Sequence, residues 1–282
     1  MKVLLGDSSN NDKNFSFEQL KFHHLAKILF FPFIIWLAYI ANYIDIVAFV
    51  HSQIFYGIAV VKKYSKDNNF IQIPSFILLF LLGNLLLFHK ILGFGNYPLT
   101  KTVVSNNAAP YSVWFNKDSI IVGLSLIIIF YKPKPFVTQD FIRMLYITIC
   151  GVIFMSVIAL SLGSVKVDIK YVSFFWLWLV FTFISVVVEE AFFRLFLLES
   201  IIRLYKGKYN SVLAVIFVSI VFALKHYYGN IGYASLAFIG SLIYSYVYIM
   251  CGRRLEASVF CHLSINVMHM IFFTYPFLRG GL

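Results

Sequence analysis

Charge is scarce in this chain. Lys, Arg, Asp and Glu make up only 12% of its 282 residues, while 61% are hydrophobic and the mean hydropathy is +0.84. That excludes an ordinary soluble domain, in which about a quarter of residues are charged. Acidic residues are the scarcest, 12 against 23 Lys and Arg, for a formal net charge of +11. The excess does not indicate nucleic acid, because no basic stripe or reading motif accompanies it. Cysteine is nearly absent too. Cys150, Cys251 and Cys261 show no CxxC and no metal-ligand spacing, and each lies in or beside an apolar segment, where a thiol behaves as a small hydrophobe. No internal repeat, low-complexity segment or cleavable leader is evident.

What is present is a succession of long apolar runs, which predicts an all-α fold: a polytopic transmembrane helix bundle of eight or nine spans. Residues 1–24 read as a polar N-terminal tail, 25–165 as N-terminal transmembrane helices, and 171–275 as four further apolar segments. The run 25–61 is too long for one ordinary span, and Asn42, Tyr43 and Asp45 predict a hairpin of two short helices; one long tilted helix is the other reading. Further spans are expected at 71–92, with Pro74 in the first turn, then up to Tyr131, and at 141–164. Residues 93–117 form the longest connection. The last four apolar segments are 171–199, 211–228, 231–250 and 255–275.

Basic residues alternate between the two sides. One side holds Lys62, Lys63, Lys132, Lys134, Arg203, Lys206, Arg253 and Arg254 together with the N-terminal lysines; the poorer side holds Lys90, Lys101, Lys117, Lys166, Lys170, Lys225 and Arg279. The positive-inside rule then puts the N-terminus in the cytoplasm for nine spans, or outside for eight.

Two adjacent carboxylates, Glu189 and Glu190, interrupt the run that begins at 171. An ionisable group at membrane depth costs at least about 2.5 kcal/mol, so such groups line a cavity or pair with partners. Three patterns stand out: Glu189-Glu190-Ala191-Phe192-Phe193-Arg194, Phe222-Ala223-Leu224-Lys225-His226, and His262-Leu263-Ser264-Ile265-Asn266. Glu190 and Arg194 have the spacing of a same-face ion pair, which leaves Glu189 to face another neighbour. His262 and Asn266 share one helical face. Counted from Gly207, Glu189 lies 18 residues back and His226 19 on, so straight antiparallel helices bring both to a depth of about 27 Å. His262 matches less well, about 12 Å past Arg254.

Glutamate with histidine can activate a water for attack on an amide, and His and Asn donors can bind the resulting oxyanion. A Glu with two His is also a zinc ligand set, although the HExxH spacing is missing. Each piece also has a plainer reading. Glu190–Arg194 serves as a structural clamp. His226 with Tyr227 and Tyr228 would fit an aromatic belt, as would His269. His23, His24, His51 and His89 have no acidic partner at a suggestive spacing. A proton-coupled transporter using the same titratable groups is the rival function, though no inverted repeat is visible. A catalytically inactive scaffold or immunity protein is the third.

The three patterns, in this order, resemble the EExxxR, FxxxH and HxxxN signatures of the CAAX protease and bacteriocin-processing (CPBP, Abi) family of intramembrane proteases, without departure in the motif residues. The resemblance covers about 171–275 and implies that these residues form the family's four-helix catalytic core. It implies that Glu189 activates the water with help from His226, that His262 and Asn266 bind the oxyanion, and that Glu190, Arg194 and Phe222 support them. It also implies a membrane-embedded or lipidated peptide or protein as substrate, with the lipid bilayer and no nucleic acid as partner; short loops and an unadorned core point to a bacterial cell membrane. For cofactors it leaves none, or one divalent metal such as zinc held by Glu189, His226 and His262. Straight-helix depth places the cavity toward the non-cytoplasmic half.

Overall fold

Asn42 adopts a left-handed φ of 59°, and the Asp45 carboxylate caps the following helix by accepting from Ala48 N at 2.9 Å. Asn tolerates that backbone region and Asp is a favoured N-cap. The first apolar run therefore breaks into α1 (Ile28–Ile40) and α2 (Ile46–Tyr64) and is not one long helix. The two fold back on each other: Phe31 meets Tyr56 at 5.5 Å, Tyr39 meets Phe49 at 5.1 Å, and Gln53 Nε2 donates to the Pro32 carbonyl at 3.0 Å. The structure, a computed structural model, describes residues 28–65, 68–106, 108–135, 137–227 and 231–278. The polar tail 1–24 lies outside the described residues.

Helix α3 (Asn69–Leu87) starts earlier than expected because Asn68 caps it, accepting from Phe70 N at 3.0 Å. Pro74 consequently lies inside the helix and not in its first turn. The long connection also departs from the all-helical expectation. It contains an antiparallel hairpin, β1 (Tyr97–Thr102) with β2 (Tyr111–Phe115). Tyr97, Thr100, Thr102, Tyr111, Val113 and Phe115 are the aromatic and β-branched types that fit a pleated surface, a signal masked by the neighbouring Gly, Asn and Pro. The buried Asp118 anchors the hairpin's base, accepting from His89 Nδ1 at 2.7 Å and Asn96 Nδ2 at 2.8 Å. His89 thus has an acidic partner that sequence spacing does not reveal.

Helices α4 (Lys117–Phe130) and α5 (Thr138–Ser161) lead into the core. There α6 (Phe175–Glu190) runs on through a π-helical stretch, Ala191–Leu198, into the short α7 (Glu199–Leu204). Helices α8 (Asn210–Lys225), α9 (Ile231–Met250) and α10 (Leu255–Phe272) complete it. Among the described residues, α2, α3, α5, α9 and α10 are long and apolar enough to cross a membrane, while α1 and α8 are shorter apolar helices. Large apolar side chains such as Phe30, Ile142, Tyr146 and Trp176 point outward, as lipid-facing residues do.

Glycine sets the closest helix contacts. A Cβ on Gly123 of α4 would lie 2.6 Å from the Val188 side chain, and one on Gly83 of α3 would lie 2.5 Å from the Phe192 ring. Both contacts press the N-terminal helices onto the glutamate-bearing helix. The turns gather at two ends. At one, Arg254 bonds Asp140 at 3.2 Å and the Lys134 carbonyl at 2.9 Å, and Arg143 donates to the Met250 carbonyl at 2.7 Å. At the other, Lys166 N donates to Thr274 Oγ1 at 2.9 Å, Tyr275 N donates to Ser105 Oγ at 3.0 Å, and bridges join Ala108 to Leu278 and Val167 to Phe273. The first end is the one rich in Lys and Arg.

Candidate active site

Helix α6 changes from α to π winding immediately after Glu190. Such wide i→i+5 turns occur mostly at functional sites. Glu190 and Arg194 are both completely buried, with Arg194 Nη1 3.0 Å from Glu190 Oε1. The other guanidinium nitrogen, Nη2, donates to the Ser241 carbonyl at 3.0 Å and to Ser241 Oγ at 2.8 Å. Rings of Phe222 and Tyr244 lie 5.3 Å from the guanidinium and that of Phe193 5.9 Å, a cation–π enclosure that excludes water. The clamp read from the sequence spacing is therefore real, and α9 supplies its third member.

His262 joins the clamp to the second carboxylate. Its Nδ1 lies 2.8 Å from Glu190 Oε1. A carboxylate held by arginine can only accept, so Nδ1 carries the hydrogen. That bond fixes the ring and turns Nε2 toward Glu189, 3.9 Å from Oε2. Tyr244 stacks flat on the imidazole, with centroids 4.1 Å apart and 14° between planes. Glu189 itself pairs directly with Lys225, Oε1 to Nζ at 2.8 Å, and both side chains keep some accessibility, 15% and 18%.

His262 comes nearer the glutamates than the count from Gly207 implies. Depth counting favoured Glu189 with His226 and disfavoured His262, yet His262 reaches both glutamates and Lys225 takes the direct bond to Glu189. The reason is axial. Arg253 reaches Glu199 at 3.3 Å, so Glu199 is level with the start of α10; from there Glu189 is ten residues back and His262 nine on. Residues 199–206 run past that level, and a count from Gly207 puts Glu189 too deep.

His226, at the end of α8, donates Nδ1–H to the Phe222 carbonyl at 2.8 Å and stacks on the Phe222 ring at 4.4 Å. Phe222 in turn meets His262 edge-on at 5.9 Å. Asn266, one turn beyond His262, makes no hydrogen bond among the described residues. It lines a cavity of about 110 Å³ together with His226, His262, Tyr233, Tyr244 and His269. His269 Nε2 donates to the Thr274 carbonyl at 3.1 Å and pins the segment after α10.

The possible metal set fits poorly. Among the described residues no three His, Cys, Asp or Glu side chains are grouped to hold an ion, and the ammonium of Lys225 occupies one oxygen of Glu189.

Lys225, Ser241 and Tyr244 were not identified from the sequence. Lys225 was within reach, because the count that levels His226 with Glu189 levels its neighbour too. The signal for Ser241 and Tyr244 is weaker: Ser241, Tyr244, Ser245 and Tyr248 form a polar stripe at helical spacing on an otherwise apolar α9.

A buried glutamate–histidine centre inside a helical bundle with outward apolar faces defines a membrane protein with a polar interior. Residues 171–268 match the family described as type II CAAX prenyl endopeptidase, Rce1-like. That stretch contains Glu189, Glu190, Arg194, Phe222, Lys225, His226, Ser241, Tyr244, His262 and Asn266, and it sits in an integral membrane protein. The match does not extend to α1–α5. No curated protein and no solved structure matches the chain.

Proposed function

We propose that this protein is an intramembrane endopeptidase that hydrolyses a peptide bond of a membrane-associated or lipidated protein through a water activated by Glu189 and histidine. The observation that carries the reading is the bridge made by His262, 2.8 Å from Glu190 and 3.9 Å from Glu189, at the wall of a cavity. Carboxylate orienting imidazole, with the far nitrogen turned to a second group, is the arrangement of general acid–base catalysis.

In this reading Glu189 takes a proton from the water as its oxygen attacks the scissile carbonyl. His262 Nε2 shares that proton and, once protonated, donates to the oxyanion together with the Asn266 amide. His226, whose Nδ1 is committed to the Phe222 carbonyl, acts through Nε2 at the cavity wall. Lys225 is a positioning residue that aims the Glu189 carboxylate through their 2.8 Å contact. Collapse breaks the C–N bond, and the shared proton passes to the leaving amine. Glu190 and Arg194 hold the imidazole in place. No step requires a metal.

The description of the matched family supports a prenylated substrate, and the alternation of basic turns supports a polytopic arrangement with the cavity opening away from the basic end. The test compares the termini of membrane proteins in cells carrying wild type or Glu189→Gln. Accumulation of an uncleaved precursor in the variant is expected, and identical terminus maps at equal protein levels would refute the assignment.

A further inference from the structure

A second, larger cavity lies at the basic end of the bundle, away from the candidate active site. Its volume is about 890 Å³, within the range of about 300–1,000 Å³ usual for small-molecule sites. It opens between α2 and α3 on one side and the π-helical stretch, α7 and the start of α10 on the other. Its walls carry Lys62, Lys132, Lys134, Arg203, Lys206 and Arg253. Among the described lining residues only Glu199 and Glu256 are acidic, and both are engaged. Glu199 accepts from the Tyr248 hydroxyl and from Arg253, each at 3.3 Å, and Glu256 accepts from the Tyr131 hydroxyl.

Lys62 is the informative residue. It is only 6% exposed, yet its ammonium has a neutral partner, donating to Gln72 Oε1 at 3.2 Å and lying 5.5 Å from the Phe76 ring centroid. No carboxylate among the described residues forms an ion pair with it. Removing an ammonium from water without a counter-charge is unfavourable, and an anion entering the cavity would supply one. The remaining wall is apolar, with Phe130, Leu195, Leu204 and Leu255.

We propose that this basin binds a phosphate monoanion or diester, carried by the headgroup of an anionic phospholipid. Lys62 would meet it at depth, Arg203 and Lys132 at the rim, and the apolar wall would receive the first methylenes of the acyl chains. Basic pockets between helices at headgroup level have this chemistry. A bound headgroup would tie α2 and α3 to the helix that bears Glu190 and Arg194, since Leu195 lines the basin.

The full-length protein, delipidated in a neutral detergent, is mixed with dioleoylphosphatidylglycerol, dioleoylphosphatidylcholine or inorganic phosphate, and Tm and native mass are followed. Phosphatidylglycerol should raise Tm and remain bound, whereas phosphatidylcholine should do neither. Lys62→Met with Arg203→Gln should weaken binding by about tenfold or more, the equivalent of at least one charge-assisted contact. Should that pair fold poorly, Lys132→Gln with Lys206→Gln at the rim gives the same readout. Lys101→Gln on the hairpin should change nothing. Competition by inorganic phosphate supports the phosphate site and assigns the ligand to phosphate itself; its absence assigns the lipid. Equal binding of the two lipids, or binding unchanged in both double variants, overturns the proposal.

Discussion

Two neighbouring residues of one helix live in different worlds. Glu190 has no exposed surface and shares one oxygen between His262 and Arg194, whose guanidinium is enclosed by Phe193, Phe222 and Tyr244. Glu189 points the other way, toward Lys225 and the far nitrogen of His262, and keeps a small accessible fraction. A carboxylate fixed by a buried arginine is held rigid, which suits it to orient an imidazole. One that borders accessible space can exchange a proton with a water. A rotation of about 100° between successive helical residues is enough to separate the two tasks.

The largest effect should come from Glu189→Gln. It keeps shape and removes the base, so turnover should fall by about 10²–10⁴-fold with Tm unchanged, as followed by cleavage of the precursor that accumulates in cells. Full turnover would move the base elsewhere. Arg194→Ala should instead strike the sealed side. It leaves Glu190 buried without its cation, at about 3–5 kcal/mol, visible as lost yield and a lower Tm. An Arg194→Ala protein that melts like wild type would erase the distinction between the two carboxylates. Lys225→Met is expected to lower kcat by about tenfold, or 1.4 kcal/mol in the barrier, with Tm preserved because the pair is partly accessible. Lys225→Arg should restore most of it. Smallest should be Ser241→Ala, which removes one of the two acceptors of Arg194 Nη2 while the Ser241 carbonyl remains. A loss of about 1 kcal/mol in stability with activity retained would place Ser241 in the clamp alone.

Much of this was legible in the chain. The break at Asn42 and Asp45, the four last helices and the Glu190–Arg194 clamp follow from local rules: capping preferences, apolar length and i, i+4 spacing. The hairpin was not, because Gly93, Gly95, Asn96 and Pro98 surround its aromatic and β-branched residues and read as loop. His89 with Asp118 was hidden by a separation of 29 residues. The pairing of His262 with both glutamates was underrated for a different reason, since a count from one turn assumes that all turns lie in one plane.

The sequence by itself determined that the protein is a helical membrane bundle, where its helices break, and which polar residues are too costly to be accidental. Each of these depends on the transfer of individual residues or on spacing within one helix, and both are properties of composition and order. Tertiary structure alone decided who meets whom. Lys225 reaches Glu189 and His262 reaches both glutamates because of the axial offset of α7 past α10 and the close approaches at Gly83 and Gly123. Hydrogen bonds form or fail over a few tenths of an ångström, and relative helix positions at that scale are set by packing across the whole bundle, which no single stretch of sequence contains.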